Sequence, residues 1–288
     1  MSKRANNTLR LTSKSSTYSF WIVNEVFFYG NVKAWDRESR PIDKDLPCYF
    51  NEEMIRFCLY LAMVISQVRS PKQQSMLAHH LLDTFKKPII SMTFEKNSTL
   101  PSTAWNLLKM INERQASIRS FRYYITSESS EFIPKILDEC TEVVDYIRIN
   151  ANFPDDFNYT SPRPFIAEEL HVGKTTNWMN LEDFMNCRRI ELRPSKKSNR
   201  TPKYWNTFFR NWINSDARLE YLSCDKIKLS DFPLIVNELS DGGIQQKGTH
   251  IWIEVKRRDG SEFVIGRTWG FDNCMYIKTK KEHLETLI

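Results

Sequence analysis

Apolar residues recur in the middle of the chain in one short pattern, apolar-x-x-apolar-x-apolar. The pattern starts at six positions, which are Ile89, Ile118, Val144, Ala167, Cys187 and Leu219. Its second half alternates apolar and polar positions, which is typical of a strand because successive strand side chains point to opposite faces. Starts that lie 20 to 32 residues apart indicate a repeated unit.

The segments between these predicted strands have the features of helices. Ser102 or Thr103 is the predicted N-cap of one helix, and Thr201 followed by Pro202 is the predicted start of another. Strand and helix alternating at this period predict an α/β fold of a particular kind, an irregular leucine-rich-repeat-like βα solenoid. A doubly wound α/β domain is the alternative.

The residues between the apolar strand positions are polar, amphipathic or glycine. Strands covered on both faces would instead be continuous apolar runs, so the alternation favours one open sheet face. Tyrosine and arginine are common in interface hot spots, and they provide most of the residues that we predict to bind a protein. These candidates are Arg122, Tyr124, Tyr146, Arg148, His171, Arg189, Arg193 and Tyr221.

The two ends of the chain differ from the repeats. Near the N-terminus we predict strands at 20–23 and 26–28, a helix from Asn51 to Ile65, and a second helix from Pro71. Six of the eight glycines follow residue 241, and we expect them to mark the turns of a small C-terminal antiparallel β unit. The predicted regions are an N-terminal strand region at 1–50, the βα repeats at 51–241 and a β-hairpin cap at 242–288.

Composition excludes several function classes. With only 8 glycines the chain has no G-x-x-x-x-G-K-[ST], G-x-G-x-x-G or G-x-S-x-G motif, so phosphate-binding loops of the common nucleotide enzymes are not expected. The six cysteines are dispersed, which favours reduced core thiols over a zinc site. We predict no catalytic residues, no metal and no cofactor, and therefore no enzyme.

Charge and hydropathy leave one further possibility. Lys+Arg 41 against Asp+Glu 35 gives a net charge of +6, which is mild for this length, so we do not expect a nucleic-acid partner. Basic clusters at 196–203, 256–258 and 278–281 leave nucleic-acid or phospholipid binding as the alternative function. The longest apolar run, 57–68, is too short to span a membrane. We predict an intracellular protein of the cytoplasm or nucleus.

Several segments of the chain resemble one known family. They are Leu81-Leu-Asp-Thr-Phe85, Trp178-Met-Asn-Leu-Glu-Asp-Phe184, Tyr204 to Ile213, Arg218-Leu-Glu-Tyr-Leu222 and the hairpin Ile253 to Gly260. Together they are similar to the nematode F-box-associated proteins, which have an N-terminal F-box and a type 2 associated domain. The resemblance implies a substrate-recognition subunit of an SCF-type cullin-RING ubiquitin ligase, whose associated domain binds an unknown target protein.

The sequence departs from the family pattern at its start. An F-box opens with an L-P-x-x-apolar helix, and no such stretch precedes the repeats, whereas Met1-Ser-Lys-Arg4 resembles the end of the family's F-box. The region 1–50 is therefore expected to begin with a remnant of the F-box. We expect this chain to bind neither the Skp adaptor nor the cullin, which would require an intact F-box.

Overall fold

The structure is a computed structural model that describes most of the chain. The described residues are 17–23, 26–30, 43–50, 53–59, 63–67, 70–84, 89–94, 100–124, 131–154, 156–194, 199–224, 227–269 and 274–287. The chain divides into two compact units, Met1–Ile147 (unit 1) and Arg148–Ile288 (unit 2). The three regions predicted from the sequence stay a prediction.

Unit 1 combines a mixed sheet with helices. Its strands are β1 Thr17–Val23, β2 Val26–Gly30, β3 Asp43–Phe50, β4 Glu53–Leu59, β5 Met63–Gln67, β6 Ile89–Phe94 and β7 Ser117–Tyr124. Its helices are α1 Pro71–Thr84, α2 Pro101–Glu113 and α3 Ile133–Cys140. Strands β1, β6 and β7 pair in parallel. Strands β2, β5, β4 and β3 continue from β1 as antiparallel neighbours.

The predicted helix from Asn51 to Ile65 is wrong, because β4 and β5 occupy this part of the chain. Periodicity in a short apolar run cannot separate a strand from a buried helix segment. The burial of β4 shows the strand alternation: Ile55 is buried, while Met54 and Arg56 on either side are exposed. The second N-terminal helix is confirmed as α1.

Strand β8, Val143–Ala151, runs across the boundary between the two units, and unit 2 contains the remaining elements. Its strands are β9 Glu169–Lys174, β10 Arg189–Pro194, β11 Tyr221–Cys224, β12 Gln245–Lys247, β13 His250–Lys256, β14 Glu262–Thr268 and β15 Met275–Thr279. Its helices are α4 Pro202–Ile213, α5 Phe232–Ile235 and α6 Lys280–Glu285, with 3-10 turns at Leu181–Phe184 and Leu229–Asp231.

The sheet of unit 2 has a parallel part and an antiparallel part. Strand β10 lies between β9 and β11 and is parallel to both. Strand β15 pairs with β11, and β14, β13 and β12 follow in antiparallel order. All six repeat strands predicted from the sequence exist, as β6 to β11. The mixed α/β class is therefore confirmed, and the solenoid stays a prediction.

The core of unit 2 lies between the parallel strands and the helices that follow them. The apolar strand positions Leu170, Ile190 and Leu222 face one another in register, and each is at most 1% exposed. Helix α4 buries the aromatic face predicted for it, Trp205, Phe208, Phe209 and Trp212. Burying one side of each strand leaves the other side for polar residues.

The start of a helix was predicted correctly at α4 and incorrectly at α2. Thr201 is the N-cap of α4, with its side chain accepting a hydrogen bond from the Tyr204 amide. Helix α2 begins one residue earlier than its predicted cap Ser102, at Pro101, and its N-cap is Leu100 without a side-chain bond. Proline is favoured in the first turn because its fixed φ suits a helix and its missing N–H loses no bond.

Candidate functional site

The polar side of the parallel strands in unit 2 forms one continuous set of residues, which we call the strand face. It consists of Arg148, Asn150, Glu169, His171, Gly173, Arg189, Glu191, Arg193, Tyr221 and Ser223. The register places Glu169, Arg189 and Tyr221 in one row. All ten residues are half-buried or exposed, whereas their neighbours along the strands are mostly buried.

Two of the predicted binding residues make a cation–π pair on the strand face. The Arg189 guanidinium lies over the Tyr221 ring, 4.1 Å from its centroid, a geometry that favours attraction between the cation and the ring. Arg189 Nη1 also lies 3.4 Å from Glu282 Oε1 in α6. Burial raises the pKa of Tyr221, so its phenol stays protonated and can donate a hydrogen bond at neutral pH.

A second group on the strand face is centred on Glu191. Its Oε2 lies 2.6 Å from His171 Nδ1, and its Oε1 accepts a hydrogen bond of 2.8 Å from Arg193 Nε. The other ring nitrogen of His171 lies 3.3 Å from Glu169 Oε2. The side chain of Arg193 is 70% exposed while that of Glu191 is 20% exposed, so the cation extends outward from a partly buried carboxylate.

A cavity of about 190 Å³ opens beside this group, at the ends of β8, β9 and β10. It brings together three predicted binding residues, Arg148, His171 and Arg193, and adds Lys174 to them. Gly173 also lines it, and a Cβ on this residue would lie 2.8 Å from Asn150 Oδ1. Sequence reasoning missed Lys174 because it follows the last alternating position of β9.

The other predicted binding residues belong to unit 1. The Arg122 guanidinium lies 4.9 Å from the centroid of the Tyr146 ring, and Tyr124 is half-buried at the end of β7. The structure thus places Arg122, Tyr124 and Tyr146 in unit 1, and the other five predicted residues in unit 2.

Helix α6, which the sequence did not predict, packs on the same side of the sheet as the strand face. Ser223 and Tyr276 are directly opposite each other in the antiparallel pair β11–β15, so their side chains share a face. The Tyr276 ring stacks on that of His283 in α6, with centroids 5.9 Å apart. Leu287, just beyond the helix, packs against Trp252, Val264 and Tyr276. The α6 segment therefore covers the antiparallel strands beside the strand face.

Burial under α6 changes the protonation of a histidine. Burial, together with smaller effects of the nearby His250 and Lys278, lowers the pKa of His283 to about 4. The Tyr276 hydroxyl lies 3.3 Å from His283 Nδ1 and 3.5 Å from His250 Nδ1. His283 is therefore neutral at physiological pH and acts as a packing residue.

The basic clusters of the sequence are only partly available for phosphate. Arg257 is buried and donates to the carbonyl oxygens of Ser215 and Ala217 at 2.9 and 2.7 Å. Lys280 lies 2.8 Å from Glu254 and 3.5 Å from Glu262. Lys196 and Lys197 lie outside the described residues. These contacts reduce the cationic surface that the alternative function requires.

The described residues lack two specialised features. Within them no three histidine, cysteine or acidic side chains come together as metal ligands would. None of the helices in the described part of the chain has the length and hydropathy needed to cross a membrane. The predictions of no metal and no cofactor stay predictions.

Comparison with known proteins gives a match to a family model. Residues 164–224 match the family model described as F-box associated. No curated protein and no solved structure matches the chain. The resemblance to the F-box associated family is thereby confirmed over this segment, which contains three of the quoted motifs in full, Trp178 to Phe184, Tyr204 to Ile213 and Arg218 to Leu222. The matched segment runs from β9 to β11 and carries most of the strand face.

Proposed function

We propose that this chain is a non-enzymatic protein-interaction module that recognises a target protein through the strand face of unit 2. The observation that carries the proposal is one of position: the segment that matches the F-box associated family contains three of the four strands that present this face, β9, β10 and β11. In a ubiquitin-ligase context, the role would be that of the substrate-recognition part of an SCF-type ligase subunit.

The composition of the strand face supports a binding role. Arginine and tyrosine are enriched in interface hot spots because they combine a large contact area with specific hydrogen bonds. Arg189 and Tyr221 already form a cation–π pair, so little side-chain freedom is lost when a partner covers them. The row of charged residues beside them would supply electrostatic specificity.

The repeat architecture supports the finer prediction of a leucine-rich-repeat-like arrangement. Consecutive strands β9, β10 and β11 are neighbours and parallel, and the alternation leaves one side of each strand polar. A solenoid presents such a side as an extended binding surface.

The family resemblance in the sequence also leads us to propose a nematode protein of the cytoplasm or nucleus.

The proposal is tested by quantitative affinity purification with the full chain as bait. One variant carries Arg189→Ala and Tyr221→Ala on the strand face, and a control carries Lys203→Ala and Thr207→Ala on the exposed side of α4. We expect a set of proteins to be lost with the first variant and retained with the control. Equal recovery by wild type and both variants would contradict the proposal.

Ligase recruitment is a separate question. A pull-down of the Skp adaptor should be negative for residues 1–288 and positive for the same chain fused to an intact F-box. Strong adaptor binding by residues 1–288 alone would refute the prediction.

The alternative function, nucleic-acid or phospholipid binding, is distinguished from protein binding by a salt titration, since phosphate-driven affinity falls steeply with ionic strength.

A further inference from the structure

We infer that the cavity on the strand face is an oxyanion subsite, which takes the carboxylate or phosphoryl group of an acidic side chain on the target. This inference rests on the proposed function and names the chemistry of the target segment. The lining residues that carry it are Arg148, Lys174, Arg193, Glu191 and Gly173.

Charge is the first argument for an acidic ligand. The cavity is lined by three cationic side chains, those of Arg148, Lys174 and Arg193, and by one carboxylate, that of Glu191, which is paired with Arg193. These cations come from three different strands, so the fold converges them on one place. Arginine is the residue that binds carboxylate and phosphoryl oxygens best, because its planar guanidinium donates parallel hydrogen bonds.

The backbone at the cavity is the second argument. Residues 1–241 contain only two glycines, and one of them, Gly173, lines this cavity. A Cβ there would lie 2.8 Å from Asn150 Oδ1, so a larger residue would push into Asn150. The next residue, Lys174, has φ of 63°, a conformation that costs energy for a residue other than glycine. Such local strain is concentrated at binding sites.

The role of Glu191 is the third argument and provides the sharpest test. Its carboxylate accepts from Arg193 and contacts His171, so it orients the two side chains at the cavity wall. Glu191 also opposes an incoming anion, since like charges repel. The substitution Glu191→Gln removes the negative charge and keeps the shape of the side chain. It should therefore strengthen the binding of an acidic ligand and weaken the binding of a cationic one.

The size of the cavity suits one functional group of a target side chain. A volume of about 190 Å³ corresponds to roughly six water molecules at ~30 Å³ each. That space holds a carboxylate or phosphoryl group, whereas the rest of the target must contact the surrounding strand face. The cavity is thus a specificity pocket within a larger protein interface.

The test uses three fluorescein-labelled decapeptides of Gly and Ser that differ only in one central residue, which is Glu, phosphoserine or Gln. Their affinities are measured by fluorescence anisotropy with the full chain at low salt. We expect the Glu or phosphoserine peptide to bind about tenfold more tightly than the Gln peptide, which is the gain of one charge-assisted contact. If the phosphoserine peptide binds more tightly than the Glu peptide, the phosphoryl group is the preferred ligand. If these two peptides bind equally and both bind more tightly than the Gln peptide, a carboxylate is sufficient.

Three variants assign the binding to the cavity. The double variant Arg148→Gln with Lys174→Gly removes two positive charges, and glycine readily adopts the positive φ of residue 174. It should abolish the preference for the anionic peptides. Glu191→Gln should raise their affinity twofold to fivefold. Arg258→Ala, which removes one exposed cation from the turn between β13 and β14, should leave it unchanged. Circular dichroism confirms that each variant is folded.

The inference is overturned by equal binding of all three peptides, by no binding at millimolar concentration, or by weaker binding of the Glu191→Gln variant. Displacement of the peptide by an RNA oligonucleotide in wild type and the double variant alike would indicate a general cationic surface and would also overturn it. Failure of the proposed function is distinguishable. A target that is lost with Arg189→Ala and Tyr221→Ala but bound normally by the cavity double variant would sustain the function and reject the subsite.

Discussion

At the scale of single residues, two arginines of unit 2 stabilise the interior instead of binding a ligand. The Arg257 guanidinium lies 5.2 Å from the centroid of the Trp212 ring and donates to two carbonyl oxygens. Arg267 Nε donates to the Ile227 carbonyl oxygen at 2.8 Å, and burial lowers its pKa. A basic cluster in a sequence therefore does not identify a phosphate site, because burial decides which cations reach the surface.

Gly266 has a structural role that differs from the turn expected for it. It lies within β14, and a Cβ on this residue would lie 2.5 Å from the Tyr276 ring. The absent side chain leaves room for the ring to lie flat across the neighbouring strand. Tyr276 in turn contacts His283 of α6, so Gly266 indirectly helps to position this helix.

The buried His283 predicts how stability depends on pH. Its pKa is about 4 in the folded state against 6.5 in the reference state, so between these values the unfolded chain binds a proton that the folded chain does not. Unfolding free energy therefore falls as the pH falls from 6.5 towards 4. From urea unfolding, we expect the wild type to lose about 1 to 3 kcal/mol more over this window than His283→Gln.

The pH profile separates this effect from simple loss of packing. A histidine that only fills space would make His283→Gln less stable by the same amount at pH 7 and at pH 4.5. Parallel pH profiles of wild type and variant would therefore contradict the assignment, whatever the offset between them.

At the scale of elements, the N-cap of α4 makes a measurable contribution. Thr201 Oγ1 accepts from the Tyr204 amide at 3.2 Å, which satisfies a backbone donor that the helix itself cannot. Helix α4 buries Trp205, Phe208, Phe209 and Trp212, so its fraying would disturb the core of unit 2. Replacing Thr201 by alanine should lower the unfolding free energy by about 1 kcal/mol, measured by urea unfolding.

Helix α2 offers the matched control. Ser102 was predicted as a cap and lies within the first turn of α2, where Leu100 is the N-cap and no side-chain cap bond forms. Ser102→Ala should therefore change the unfolding free energy by less than about 0.5 kcal/mol. A larger loss at Ser102 than at Thr201 would mean that capping has been assigned to the wrong residues.

The elements show what a sequence pattern can predict. The repeat strands followed from alternation, because one side of each strand is buried and the other is not. The strands β4 and β5 were mistaken for a helix, since their apolar residues are too closely spaced for periodicity to decide. Helix α6 was missed because its short polar sequence, Lys280 to Glu285, is held by His283 and by contacts with distant strands.

The candidate site was predictable to a similar extent. Alternation placed His171, Arg189, Arg193 and Tyr221 on one side of the sheet, where the structure has them. The cavity depends on features that are not visible in a strand pattern. Lys174, which lines the cavity, has a positive φ that the strand pattern does not predict. Elsewhere on the strand face, the contact of Arg189 with Glu282 of α6 depends on the tertiary structure.

At the scale of the whole molecule, both units have a predicted binding arginine that lies over a predicted binding tyrosine. Arg122 lies over Tyr146 in unit 1, and Arg189 lies over Tyr221 in unit 2. The F-box associated match covers residues 164–224 only, so it includes the second pair and excludes the first. If recognition follows the family, the target should bind unit 2.

Hydrogen exchange on the full chain can locate the bound target, using a protein captured in the affinity purification. We expect new amide protection in β9, β10 and β11 and none in β7, because partner contact shields backbone amides from exchange only where the interface closes. The variant Arg122→Ala with Tyr146→Ala should keep the wild-type affinity, whereas Arg189→Ala with Tyr221→Ala should weaken it by tenfold or more, as hot-spot truncation costs about 2 kcal/mol. Protection confined to β7, or loss of affinity through Arg122 and Tyr146 alone, would assign recognition to unit 1.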